Sequence, residues 1–339
     1  MKSKDEVRWA NMDTLSIKTP EDEDYITELI IEAIGEYLEE HDLDIQYMSD
    51  IKLQKVVFKV ADTLNIPLTR SWYMRGCYVH NSIINRDFLK EKMERGYEKE
   101  KGKEYKLLYD AVSKNIEEVW WTTTTRFLEG LYKTQAPEAY RSMYISNNDL
   151  LNLNKEVINF LRDFAGKRTL AKWITLSTDY YNRISKNVSK LHIELISKKE
   201  FGDLIIPFSN FTDLLEMLYL KIDDILKSEV DISRDILEFF ELVDRVYFKN
   251  IWQYPALVIS KETVIGIRKD EIIEENLTRL ERAEDKINYH MEHIKEGASE
   301  LDLLPSIKDL ETKYKESVKI LGADVSKKIA EFWKVCSKT

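Results

Sequence analysis

The chain reads as a mainly α-helical, multi-helical protein of two helical domains with at most a small β-hairpin. Three observations carry that expectation. Only 10 glycines and 6 prolines interrupt 339 residues, far below average usage, so few positions force the backbone out of a helix. Apolar residues make up 43% of the chain, ample for buried cores at this length. Apolar positions also recur at spacings of three and four through most of the sequence, the period of a helix with one buried face.

The elements follow in order. In TPEDEDYITELIIEAIGEYLEEHD, Thr19 is set to cap a first helix, with Pro20 at its first position and acidic residues at the positive end of the helix dipole. Its stripe is Ile26, Leu29, Ile30, Ala33 and Leu38. A second helix, SDIKLQKVVFKVADTLNI, starts at Ser49 or Asp50, buries Leu53, Val56, Val57, Val60 and Leu64, and ends at Pro67. Over 86–106, 14 of 21 residues are charged and Gly96 and Gly102 interrupt any long helix. A solvated helix tail or a mobile hairpin loop is expected there, with a partner-binding arm as the functional alternative.

Helical spacing returns in YKLLYDAVSKNIEEVWW, and the TTTT run at 122–125 predicts a short extended segment or a kink, because β-branched residues weaken a helix. A helix start is expected at Pro137. The boundary between an N-terminal helical module (1–145) and a C-terminal helical domain (146–339) is placed near Ser146. Beyond it helices are expected over 150–165, 168–199, 211–227, 232–250, 271–296, 306–320 and 324–336, with a loop between Gly202 and Pro207. One stretch departs from this pattern: ALVISKETVIGIRK at 256–269 sets two apolar runs around a polar SKE, as a β-hairpin would. No period of 20 to 50 residues repeats, which argues against a solenoid. The stripe of helix 271–296 suits packing on its own domain better than a coiled coil with another chain.

Charge narrows the function classes. With 61 acidic and 51 basic residues the net charge is −10, which disfavours wrapping of a nucleic-acid backbone. Two distant cysteines, Cys77 and Cys336, give neither a disulfide framework nor a zinc spacing, and a reducing cytoplasm fits best. The first 24 residues hold no run of seven apolar residues, so no secretory signal or anchor is expected in them. No apolar stretch approaches the roughly 18 to 20 residues that span a bilayer.

Signatures of chemistry are sparse. Neither GxxxxGK[ST] nor GxGxxG occurs, so the backbone cradles that hold nucleotide phosphates are not expected. GxSxG and HExxH are absent as well. His290 and His293, with Glu292 between them, share a helix face at i, i+3. Zinc proteases space their imidazoles at i, i+4, so two solvated histidines are the better reading. The pairs Asp223/Asp224 and Glu274/Glu275 read as helix surface rather than as acid and base. Cys77 beside His80 is either a nucleophile or a small packed residue, and with no orienting acid in view the packed reading is favoured. No cofactor or metal is expected.

What remains is RSWYMRGCYVH at 70–80, where three aromatics, two arginines, a glycine, a cysteine and a histidine crowd into eleven positions. Together with the preceding helix it resembles the Panacea domain, a SocA-type antitoxin-like module marked by a KLQKLLY helix and an aromatic and glycine turn. Lys52, Leu53, Gln54, Lys55, Val56, Val57 and Phe58 match the helix, and Trp72, Gly76, Tyr78 and Val79 match the turn. The resemblance spans residues 50–84; Cys77 stands where that family has proline. It implies a non-catalytic helical adaptor or regulator that recognises another protein.

The residues themselves agree, since Trp, Tyr and Arg contribute most to binding hot spots. Arg70, Trp72, Tyr73, Arg75 and Tyr78 are therefore the expected partner contacts, with a purely architectural wedge as the alternative. A rival class is a DNA-binding helix-turn-helix cut from LQKVVFKVADTLNIPLTRSWYMRG, in which Arg70 and Arg75 would meet phosphates or bases. A third is an enzyme of unrecognised type centred on Cys77 and His80.

Overall fold

A computed structural model of the chain describes residues 17–96, 102–164, 180–227, 233–306, 308, 310 and 311. Among these the protein is helical apart from one two-stranded antiparallel hairpin. Helix α1 (Pro20–Glu40) begins as its sequence demands: Thr19 and Asp22 form a reciprocal capping box and Pro20 occupies the first turn. After a 3₁₀ turn at Ile45–Tyr47, Ser49 caps α2 (Asp50–Thr63). The hairpin follows as β1 (Arg70–Tyr73) and β2 (Gly76–Val79). Helices α3 (Arg86–Arg95) and α4 (Lys103–Trp120) then pack on α1, and α4 also packs on α2.

The threonine run ends one helix and starts another. Thr123 holds an extended conformation and caps α5 (Thr124–Gln135). A 3₁₀ turn at Glu138–Tyr140 leads into α6 (Arg141–Phe164), which packs against α7 (Tyr180–Ile196). The chain continues through a 3₁₀ segment (Lys199–Leu204), α8 (Ile205–Lys227), α9 (Arg234–Val246), a π turn (Tyr247–Ile251), α10 (Gln253–Thr263), α11 (Lys269–Leu280) and α12 (Ala283–Glu300).

Several expectations need correction. The hairpin lies at 70–79 and not at 256–269, whose first part is α10. There Pro255, Ala256, Leu257, Val258, Ile259 and Ser260 are all buried, so a helix enclosed on every side has no polar face to display a helical period, and burial overrides β propensity. Of that stretch Ile265 pairs as a strand residue would, through both backbone groups with Arg70 (3.0 and 2.9 Å). The helix-turn-helix reading loses its second helix, because the backbone after Pro67 enters β1. The expected loop at 202–207 is instead a 3₁₀ segment running into α8, with Pro207 in the first turn, where its missing N–H costs nothing. The helix expected over 271–296 breaks at Glu281–Arg282.

The boundary near residue 146 falls inside α6, where Ser146 is buried, and buried residues from Ile26 to Leu303 join one hydrophobic cluster. Residues 168–179 of the helix expected over 168–199, most of that over 306–320, all of that over 324–336, and Cys336 lie outside the described residues.

Candidate functional site

The site is built on the hairpin. Met74 and Arg75 form its two-residue turn while Gly76 takes the positive φ of 89° that closes it. A Cβ at Gly76 would lie 2.9 Å from Leu131 Cδ2, so this position requires glycine on conformational and packing grounds. Pairing of Ser71 with Tyr78 and Trp72 with Cys77 sends the two pairs to opposite faces.

The KLQK segment of α2 clasps the free edge of β2. The Gln54 amide accepts from the Val79 N–H (3.1 Å) and donates to the Val79 carbonyl (3.4 Å), so one side chain substitutes for a missing strand. Lys55 Nζ donates to the Cys77 carbonyl, and Lys52 Nζ donates to the Trp120 carbonyl (2.9 Å) at the end of α4. Lys55 is only 3% exposed. Burial pushes its pKa down to about 8.

The other face of the hairpin is tied to the C-terminal helices. Ser71 Oγ lies 2.6 Å from His80 Nε2 and 2.7 Å from Ser260 Oγ of α10, and Asn276 of α11 donates to Ser260 (3.0 Å). Trp252 Nε1 donates to the Met74 carbonyl (3.2 Å), which fixes the turn from the end of the π segment. A second clasp joins Glu23 of α1 to the N–H and hydroxyl of Thr69, while Arg268 reaches Asp24 at 2.7 Å.

Between the turn, the start of α2 and the residues leading into α3 opens a cleft of about 470 Å³, within the range of small-ligand sites. Tyr73, Arg75 and Tyr78 line it, with Lys55 and Gln54 from α2, Asp50 at the start of α2, and Phe248 from the π turn opposite. The Arg75 guanidinium sits 4.3 Å over the Phe248 ring and has no ion pair or hydrogen bond among the described residues. Tyr73 accepts a hydrogen bond from Arg279 (3.1 Å). Tyr78, 37% exposed, meets the rings of Tyr73 and His80 edge-on.

The five residues expected to contact a partner therefore separate. Tyr73, Arg75 and Tyr78 converge on the cleft. Trp72 is buried, its ring 5.4 Å from Tyr144 in an aromatic cluster that also holds Trp252, so it is an architectural wedge. Arg70 is held by Asp62 (3.2 Å) and stacks over Phe58. Phe248 had no local signal in the sequence; its place depends on a π turn, a distortion that often marks functional sites. Lys55 and Gln54 were visible only as part of a motif.

Cys77 is 3% exposed, and burial pushes its thiol up to about 11, so it stays protonated at neutral pH and is a poor nucleophile. Burial pushes His80 down to about 4, which leaves it a neutral partner of Ser71. Glu274, Glu275 and His293 are exposed. Among the described residues no group of three His, Cys, Asp or Glu is placed to hold a metal ion, and no helix is long and apolar enough to cross a membrane.

Among the described residues the arrangement is that of a mainly helical protein with one hairpin, clamped between N- and C-terminal helices and opening onto an aromatic, cationic cleft. The chain matches the family model described as Domain of unknown function (DUF8098) over residues 90–329 and belongs to that family. No curated protein and no solved structure matches it. The match takes in Phe248 but begins after the hairpin, so the cleft joins the family segment to the 50–85 region that precedes it.

Proposed function

We propose that this protein is a non-catalytic regulatory or adaptor protein of the cytoplasm that binds another macromolecule, most simply a protein, through the cleft at its hairpin. The carrying observation is Arg75: a guanidinium backed by Phe248, bordered by Tyr73 and Tyr78, and bound to no acidic side chain among the described residues. An unpaired, stacked arginine among tyrosines is the composition of an interface hot spot. The Panacea-like resemblance of residues 50–84 points to the same class of activity.

The test is affinity capture from the native host with the natural chain and with a Tyr78→Ala, Arg75→Glu double variant, each checked for unchanged thermal unfolding. The reading expects a retained macromolecule that the double variant releases. An identical retained set for both proteins contradicts it.

A further inference from the structure

We infer that the cleft accepts the C-terminal carboxylate of a partner's segment whose last residue is apolar or aromatic. This rests on the reading of the cleft as a binding site and specifies what it recognises.

The cleft must first favour an anion. Two cationic side chains line it, Arg75 and Lys55, against one carboxylate, Asp50. Asp50 already accepts from the Arg86 N–H at 2.8 Å. The titratable groups that act on the Arg75 charge are Tyr132 of α5, Asp244 of α9 and Lys55 of α2. Burial raises the Asp244 carboxyl, and among the described residues no ion pair joins it to Arg75.

One carboxylate then matches the site better than a phosphate dianion. The Lys55 ammonium already donates to the Cys77 carbonyl, whereas the Arg75 guanidinium has no hydrogen bond among the described residues and is a planar fork that fits a carboxylate by two parallel hydrogen bonds. Asp50 at the edge opposes a second negative charge. Phe248 stacked on the guanidinium fixes its plane, and Tyr73 and Tyr78 supply the aromatic wall for the group beside the carboxylate.

The experiment is calorimetric titration of the full chain with N-acetylphenylalanine, N-acetylphenylalaninamide and phenyl phosphate. The inference expects the acid to bind about tenfold or more tightly than the amide, the scale of a charge-assisted pair. Arg75→Gln should abolish that preference, and Arg75→Lys, which keeps the charge and loses the fork, should retain only part of it. Equal binding of acid and amide, or a preference that survives Arg75→Gln, overturns the inference. Phenyl phosphate binding tenfold more tightly than the acid overturns it in favour of a phosphate site. Neither result bears on capture of a macromolecule by the cleft, so the two readings fail separately.

Discussion

Replacing Gln54 by leucine removes the partner of the buried Val79 N–H while keeping the side chain's bulk; the Val79 carbonyl keeps the Asn81 N–H (2.9 Å). The unmet N–H should lower stability by about 1–3 kcal/mol, measured as a shift of the urea midpoint; a change below about 0.5 kcal/mol would contradict the role assigned to Gln54. His80 gives a prediction of a different kind. Its folded pKa, about 4, lies below the ordinary 6.5, so the unfolded chain takes up a proton first as pH falls. The contribution is fully present above pH 6.5 and is lost between pH 6.5 and 4, by up to about 3 kcal/mol. His80→Gln should flatten stability against pH in that window. At this scale the sequence disclosed which stretch mattered but not what each residue does. Trp72 and Tyr78 are both large aromatics in one run, and only the register of the strands sends one into the core and leaves the other at the cleft.

At the scale of elements, helices were legible wherever one face stays wet. The cap Thr19 was readable in advance and the cap of α2 was narrowed to Ser49 or Asp50, because a cap is a local device; the threonine run gave a break between helices but not its cap, Thr123. The hairpin was not. Its strands have four residues each and its turn, Met74–Arg75, lacks the Asn-Gly signal of a tight hairpin. Its support comes from Gln54, Ile265 and Ser260, the last lying 189 residues from its partner Ser71. Long-range support of this kind leaves no trace in a local window. Gly266 tests it. Its φ is 109°, and an added Cβ would lie 2.3 Å from Thr69 Cα, so Gly266→Ala should separate Ile265 from Arg70. Hydrogen exchange at the Arg70 and Ile265 amides should accelerate far more than exchange in α12. Unchanged protection at both amides would show that the bridge does not depend on close approach there.

At the scale of the molecule, helical content was visible in composition, and the expected division near residue 146 falls within α6. Amphipathic helices announce their own buried face but not whose face they meet, and α6 meets elements from both sides of that position. Because buried residues from Ile26 to Leu303 form one cluster, a fragment ending at residue 145 would expose the apolar surfaces by which α5 packs on α6 and β1 packs on α10. It should fail to give a cooperative unfolding transition, while the whole chain gives coincident transitions by circular dichroism and tryptophan fluorescence. A fragment that unfolds cooperatively would restore the two-domain division.

The most direct test of the binding account places a photo-crosslinking amino acid at Tyr78, at the cleft, and in a separate protein at Tyr289, which is 66% exposed on α12. On irradiation in the native host, the account predicts a discrete macromolecular adduct from position 78 that Arg75→Gln suppresses, and none of that mass from position 289. Adducts of the same kind from both positions, or an adduct at 78 indifferent to Arg75, would contradict it.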